Sequence, residues 1–427
     1  MSVTIRTFSV SNYRSCQRTK IRLHKQLSAL IGPNGSGKTN VLNALLLLKQ
    51  LPGLGGQSRS QRIKIDEGAN ESKISVEFDV NGKCVAYRAA VKYTISPQNI
   101  ESVINAREQW NFADFTGKDI WVKLFQFPPK FMPELVMRRE TSARKMFTMS
   151  RHFGFITAAE SKSFSKAFPE KTLSLAIRLV DRICDFVANI NYYSASRYTD
   201  PAECPAWFEL QDNDRLRERS KPDFHIRFLF DLYSSYKNNR EKFNEFLSVV
   251  GKEGIRIVDT IRFPNTTVPS SEVEVRIGGK LTRKKIKRRL VIPQFIVNRT
   301  ILSPSQLSEG TFRTLALLLY LSTDKSKLLL LEEPEVCIHH GLLASVIELM
   351  KSYATEKQIV ISTHSDFVLD HLNPENIYVV KIDTVKGTIV SHLPRAISAK
   401  GYAALKEYLR TSGNLGEYWR HSGFQHV

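Results

Sequence analysis

Apolar and polar residues alternate over residues 3–10, and an unbroken apolar run occupies 27–31, so both segments read as strands. The second run opens into a glycine-rich turn and then an apolar stretch at 41–48, giving strand, loop, helix. Residues 74–80 and 84–91 are strand-like and flank Asn81-Gly82, a dipeptide that tolerates the positive φ angles of a two-residue hairpin. From about residue 100 to 190 the pattern turns helical and rich in Phe, Lys and Ser, and 224–250 reads as a further amphipathic helix. Strand-like segments return at 255–263, 273–277 and 290–297, separated by Gly278-Gly279 and a basic run. Beyond residue 300 a helix after Glu309, a strand at 327–331, a helix after His340 and a strand at 358–362 follow one another.

These elements predict an α/β fold: a mixed sheet with helices, its parallel part assembled from both chain ends, an antiparallel subdomain, and a helical insertion between. The expected divisions are residues 1–95, a mainly helical 96–250, a β-rich 251–300 with a basic hairpin, and 301–427. No internal repeat interrupts this order, and the Gly-rich patch at 53–56 is a loop.

Composition alters the picture little, since 42 % hydrophobic and 24 % charged residues are ordinary for a folded chain. Charge alters it more. Lys and Arg total 62 against 42 Asp and Glu, a net charge of +20 that favours nucleic acid, an anionic membrane or an acidic protein without choosing among them. The N-terminal residues hold no apolar core of signal-peptide length, and apolar runs such as 44–48 and 328–331 are far too short to span a bilayer. A cytoplasmic protein without membrane association is expected. Cys16, Cys84, Cys184, Cys204 and Cys337 never fall at CxxC spacing, so reduced structural thiols are expected.

Gly32-Pro33-Asn34-Gly35-Ser36-Gly37-Lys38-Thr39 fits G-x-x-x-x-G-K-[ST] and sits between strand and helix, as a P-loop requires; the bland alternative is an incidental Gly-rich turn. Such glycines let backbone N–H groups converge on phosphate oxygens, the helix N-terminus adds its positive dipole end, Lys38 reaches the β/γ-phosphates, and the Thr39 hydroxyl ligates Mg²⁺. The run 327–331 ends in Glu332-Glu333-Pro334-Glu335, either a buried strand delivering carboxylates to the sheet edge or one ending in a solvated acidic turn. On the first reading Glu332 holds Mg²⁺ or its water and Glu333 orients the attacking water. Arg283, Lys284, Lys285, Lys287, Arg288 and Arg289 cluster within one short segment that reads as a basic hairpin tip. It suits nucleic-acid phosphates, an acidic contact between subunits, or plain solvation.

Leu307-Ser308-Glu309-Gly310-Thr311 precedes a helix, and Ile359-Val360-Ile361-Ser362-Thr363-His364-Ser365 is a strand ending in a histidine. The order P-loop, LSEGT, EEPE, STHS resembles the ABC-type head ATPases of the RecF, SMC and OLD-like branch. LSEGT is similar to the signature LSGGQ. The resemblance covers about residues 1–95 and 295–427 and implies ATP and Mg²⁺ as ligands. It implies phosphate contacts from Asn34, Gly35, Ser36, Gly37, Lys38, Thr39 and Asn40, and a metal site at Thr39 and Glu332. Lys38, Glu333 and His364 match the catalytic lysine, glutamate and switch histidine. Ser308 and Gly310 of one protomer are implied to contact the γ-phosphate held by another, making a homo-oligomer of heads. Two departures stand out: Glu332 occupies a position where most ABC heads carry Asp, and so does His339 in the D-loop. Gln57 and Gln61 are the candidates for the Q-loop glutamine.

No sustained heptad pattern supports a long coiled coil, and the roughly 60 residues after His364 lack the spaced acidic cluster of a Toprim nuclease. The compact head, with Gly413-Asn414-Leu415-Gly416-Glu417-Tyr418-Trp419 near its end, resembles the stand-alone ATPases of antiphage systems such as Septu and PARIS. That resemblance implies an ATPase that is no nuclease itself and controls a separate HNH or Toprim effector. The alternatives are a RecF-like repair ATPase acting on DNA directly and an ATP-bound scaffold with little hydrolysis.

Overall fold

The computed structural model describes residues 2–54, 71–95, 101–116, 121–125, 134–138, 147–152, 155–157, 170–195, 201–210, 224–277, 280–323, 326–336, 338–411 and 413–420. The chain divides into two compact units, one of residues 1–192, 325–333 and 354–427, the other of 193–324 and 334–353.

The first unit is organised by one 15-stranded sheet. From one edge its strands are Phe155–Thr157, Phe147–His152, Glu134–Arg138, Trp121–Phe125, Glu101–Asn111, Lys83–Ile95, Glu71–Val80, Val3–Tyr13, Cys16–Arg22, Gly387–His392, Ile377–Asp383, Leu27–Ile31, Gln358–Thr363, Leu328–Glu332 and Ile190–Ser194. Leu27–Ile31 pairs in parallel with Gln358–Thr363 on one side and with Ile377–Asp383 on the other, and Gln358–Thr363 pairs in parallel with Leu328–Glu332. The expected assembly of a parallel sheet from both chain ends is therefore found. Its strands carry apolar runs rather than a two-residue alternation, as strands buried on both faces do, and Leu27 to Ile31, Leu328 to Leu331 and Ile359 to Ile361 are all buried.

The antiparallel part alternates instead, with Phe8, Val10, Ile74, Val76, Phe78, Val85 and Tyr87 turned into the core. Helix Lys38–Leu46 contributes Val41, Leu42 and Leu45 to that core, and helix Glu170–Ala188 contributes Leu179, Ile183 and Phe186. Trp110 fills its centre, 4.8 Å from the Tyr87 ring and stacked on Phe112 at 6.1 Å. The Asn81-Gly82 hairpin forms as expected, with φ +53° and +84°, and the Asp79 carboxylate accepts from the Gly82 N–H at 2.7 Å.

Helix was expected over about 100–190, and the structure corrects this. Among the described residues strands lie at Glu101–Asn111, Trp121–Phe125, Glu134–Arg138, Phe147–His152 and Phe155–Thr157, with a long helix only at Glu170–Ala188. Pairing with the exposed edge of Lys83–Ile95 satisfies the backbone of Glu101–Asn111, and tertiary pairing outweighs local propensity.

Buried Gln358 joins distant segments: its amide donates to the Ile5 and His24 carbonyls at 2.8 and 2.9 Å and accepts from the Ile5 N–H at 2.9 Å. Buried Glu108 accepts from Tyr87 and from the Gly53 N–H at 2.8 and 3.0 Å. Burial pushes its carboxyl up to about 7, against the lowering effect of those two donors.

The second unit holds helices Phe224–Asn238, Arg240–Val250, Glu309–Thr323 and His340–Tyr353 with two three-stranded sheets. Its core is aromatic: Phe312 packs edge-on to Phe228 at 5.0 Å, and Tyr236, Phe243 and Phe263 cluster within 6.2 Å. The basic run lies along strand Lys280–Val291 rather than at a hairpin tip, paired antiparallel with Asn265–Ile277. Its register sets Lys285 opposite Glu272 and Arg283 opposite Glu274. Gly278, Gly279, Gln57, Gln61 and Cys337 fall outside the described residues, as do the side chains of 269–288. Among the described residues no helix is long and apolar enough to cross a membrane.

Candidate functional site

In the first unit the central parallel strands end on one edge of the sheet, and the candidate residues of that unit follow those ends. Strand Leu27–Ile31 leads through residues 32–37 into helix Lys38–Leu46. Gly37 caps that helix at φ +99°, and a Cβ there would stand 2.1 Å from Thr388 Oγ1 and 2.9 Å from Ser15 Oγ. A Cβ on Gly32 would stand 2.2 Å from the Val380 carbonyl oxygen. Gly35, at φ +80°, has open space around it. The three glycines of the motif thus serve two close approaches and two left-handed turns.

Lys38 is buried, and its ammonium donates to the Gly32 carbonyl at 2.8 Å and the Pro33 carbonyl at 3.1 Å, which folds the side chain back along the loop. Ser36 Oγ is buried with no hydrogen-bond partner among the described residues. Asn34 and Gly35 are exposed. The Asn40 amide donates to Ser15 Oγ at 2.6 Å, and Ser15 Oγ lies 2.7 Å from Thr388 Oγ1. Asn40 therefore braces the loop from behind through a network that no sequence pattern indicated.

Strand Leu328–Glu332 brings Glu332 against the P-loop, where its carboxylate accepts from the Thr39 hydroxyl and from the Tyr192 hydroxyl. The two residues proposed from sequence to share a metal are thus in contact. A hydroxyl beside a carboxylate is a hard-oxygen donor pair that suits Mg²⁺, and the longer Glu side chain in place of Asp still reaches Thr39. Tyr192 was missed because its partner lies 140 residues away in the chain.

Glu333 follows with φ +45°, although Pro334 after it would ordinarily drive it to extended backbone. A left-handed non-glycine residue costs on the order of 1–3 kcal/mol and persists where its surroundings over-determine it. Here the Glu333 N–H is tied to the Ser362 carbonyl at 2.9 Å, one step beyond the parallel pairing of Glu332 with Ser362. This backbone leaves the carboxylate 3.4 Å from His364 Nδ1, with both side chains partly open to solvent. His364 itself leaves the end of Gln358–Thr363 and precedes Ser365, whose hydroxyl caps helix Asp366–Asp370 at Val368 N.

Ser308 and Gly310 belong to the second unit. Ser308 Oγ accepts from Thr311 N at 3.3 Å and lies 2.9 Å from Thr311 Oγ1, so it caps helix Glu309–Thr323, with Gly310 in the first turn. Arg313 ion-pairs with Glu309 and neutralises the acid at the helix start. His339 accepts from Gly341 N at 3.2 Å through Nδ1, an N-terminal bond of the kind an Asp carboxylate makes at the same place. Among the described residues no group of three or more His, Cys, Asp or Glu could hold a metal ion.

A family profile described as "AAA domain, putative AbiEii toxin, Type IV TA system" matches residues 27–113 and 185–370. Among curated proteins, the DNA replication and repair protein RecF of Lactococcus lactis is 26 % identical over 176 residues, 40 % of this chain and 45 % of that protein. RecF of Lactobacillus johnsonii is 19 % identical over 258 residues, 55 % of this chain and 66 % of that one. RecF of Leptospira biflexa is 24 % identical over 108 residues, 25 % of this chain and 29 % of its own length. The chain thus spans less than two thirds of the length of each of these relatives. Among solved structures, the SMC head domain from Thermotoga maritima is 11 % identical with a TM-score of 0.41, covering 92 % of this chain and 99 % of that one. An Smc head domain with an extended coiled coil, bound to the C-terminal domain of ScpA from Pyrococcus furiosus, is 12 % identical with a TM-score of 0.44, covering 96 % and 100 %. With the profile matching more than half of the chain and including both the P-loop and Glu332 to His364, the protein belongs to this AAA-domain family.

Proposed function

We propose that this chain binds ATP with Mg²⁺ at the loop 32–39, hydrolyses it when two heads close face to face, and thereby governs a separate nuclease effector in antiphage defence. The observation that carries the reading is the double contact at the sheet edge: Thr39 on Glu332, and His364 beside Glu333. Bound Mg²⁺ would offset phosphate charge, and Thr39 and Glu332 are the residues to hold it. Lys38 supplies a cation for the β/γ-phosphates, and the backbone N–H groups opening helix Lys38–Leu46 face the same oxygens. Glu333 orients and polarises a water, and His364 holds the Glu333 carboxylate in place for it. Ser308 and Gly310 at a helix N-terminus of a second copy complete the γ-phosphate site. The family's description, with its toxin and type IV toxin–antitoxin system, supports a role in prokaryotic defence.

A second reading, an ATPase acting on DNA directly, is supported by the RecF relatives and by the basic strand Lys280–Val291. One preparation tests both. Glu333→Gln is expected to retain ATP in a stable pair of heads, visible by light scattering as an ATP-dependent doubling of mass with nucleotide bound. Unchanged steady-state hydrolysis would remove Glu333 from the mechanism. The native protein is expected to co-purify with a nuclease; DNA-stimulated turnover by the isolated chain would favour the second reading instead.

A further inference from the structure

The segment from Gly413 to Arg420 is dense in contacts that the ATP site itself does not use. Helix Leu415–Arg420 packs on helix Asp366–Asp370, the short helix that begins two residues after His364. Gly416 N–H donates to the Asp370 carboxylate at 2.6 Å, and Arg420 Nε lies 2.9 Å from the Asp366 carboxylate. The approach requires a glycine: a Cβ on Gly416 would stand 2.3 Å from the Asp366 carbonyl oxygen and 2.6 Å from Asp370 Oδ1. The rest of the segment braces this grip. Asn414 Oδ1 accepts from Glu417 N at 2.8 Å, capping the helix, and the Glu417 carboxylate accepts from the Tyr408 hydroxyl at 2.8 Å. Gly413 has no room for a side chain, since a Cβ there would overlap the Tyr408 ring at 2.0 Å.

The geometry points to Gly416, Asp370 and Arg420 as positioning residues for His364. His364 sits on the turn between strand Gln358–Thr363 and helix Asp366–Asp370, a turn closed by the Ser365 N–H on Thr363 Oγ1 at 3.0 Å. Its Nδ1 stands at 3.4 Å from Glu333, at the outer limit of a hydrogen bond, where a few tenths of an ångström decide whether the contact exists. The strand end is held by the sheet; the helix end is held by the clamp from Leu415–Arg420. A shift of that helix moves the His364 backbone directly, whereas the P-loop is carried by the neighbouring strand Leu27–Ile31, which the sheet holds in register. The clamp therefore acts on turnover and not on nucleotide affinity. This inference rests on the proposed role of His364 as the switch beside Glu333.

The test uses Gly416→Ala in the full chain, with Asp370→Leu as a second variant and Asp370→Asn, which keeps the accepting oxygen, as the conservative rescue. Two readouts are taken: the pH titration of the His364 ring by NMR in ¹³C-histidine-labelled protein, assigned with His364→Gln, and steady-state ATP hydrolysis with calorimetric ATP affinity. Gly416→Ala and Asp370→Leu are expected to move the His364 titration and to lower kcat on the order of tenfold, with ATP affinity and KM unchanged and Asp370→Asn near wild type. In the His364→Gln background Gly416→Ala is expected to have no further effect on kcat, because both changes act through one group. An unmoved His364 titration, or an equal loss of kcat in both backgrounds, overturns the clamp. A moved titration with unchanged kcat leaves the clamp standing and removes His364 from the switch role.

Discussion

Gly37→Ala adds a methyl where the P-loop offers neither the backbone conformation nor the space for one. The residue lies at φ +99°, and an added Cβ would meet Thr388 Oγ1 at 2.1 Å, Thr388 Cγ2 at 2.9 Å and Ser15 Oγ at 2.9 Å. The backbone conformation alone costs a non-glycine residue about 1–3 kcal/mol, and forcing a methyl into occupied space adds about 1–3 kcal/mol. The sum is on the order of 2–6 kcal/mol, a large share of the roughly 5–15 kcal/mol that holds a domain folded. Gly35→Ala separates the two contributions, because its φ is +80° but nothing stands within 4 Å of the new Cβ. It is expected to cost only the conformational share, about 1–3 kcal/mol. Thermal unfolding by calorimetry reads the difference, at about 2–4 °C per kcal/mol for a unit of this size. Combining Gly37→Ala with Thr388→Ala removes two of the three overlapping atoms and is expected to restore part of the loss, while Gly35→Ala with Thr388→Ala gains nothing. Equal destabilisation by the two glycine variants, or no recovery with Thr388→Ala, would refute the packing assigned to this loop.

Glu108 gives a pH prediction with a definite sign. Its buried carboxyl titrates at about 7 against an ordinary value of 4.5, so the unfolded chain releases that proton first and the fold loses stability as pH rises between the two. The loss is on the order of 3 kcal/mol, and Glu108→Gln is expected to flatten the slope of denaturation free energy from pH 5 to 7; an unchanged slope would contradict the buried protonated carboxyl. Ser308→Arg is expected to leave ATP binding by one head intact and to abolish hydrolysis, and mixing it with Lys38→Ala should not restore two working sites; full recovery of activity in the mixture would contradict a shared site. Neutralising Arg283, Lys284, Lys285, Lys287, Arg288 and Arg289 is expected to flatten the salt dependence of any DNA binding, since each lost phosphate contact withholds counterions; an unaltered slope would free the segment from nucleic acid.

The parts legible in the sequence are those whose cause is local. Gly32 to Thr39 declares itself because the same few residues both shape the loop and carry the chemistry, and Asn81-Gly82 because the turn needs positive φ at those positions. The segments ending in Glu332 and His364 read as strands because burial on both faces favours an unbroken apolar run, LLLL in one and IVI in the other. The strands from Glu101 to Thr157 stayed hidden because ESVINAREQWN and its successors lack a clean two-residue alternation, and pairing with Lys83–Ile95 decides their state. Tyr192 and Thr388 could not be foreseen, since each meets the site across 140 and 373 residues of chain. Glu333 is instructive in the other direction: Pro334 argues for extended backbone there, and the hydrogen bond to Ser362 prevails.

The stitching of Gln358 onto Ile5 and His24 bears on how the protein is made. The P-loop strand Leu27–Ile31 emerges early from the ribosome, but both of its parallel neighbours, Gln358–Thr363 and Ile377–Asp383, are translated more than 300 residues later. At about 5–20 residues per second that interval lasts on the order of 15–65 s, and for most of it Thr39 has no Glu332 to contact. On the proposed reading, a nascent chain with a finished P-loop still lacks Glu332, Glu333 and His364. The central sheet therefore closes around the P-loop strand only once residues 358–383 have docked, which couples assembly of the proposed nucleotide site to synthesis of a segment more than 300 residues downstream.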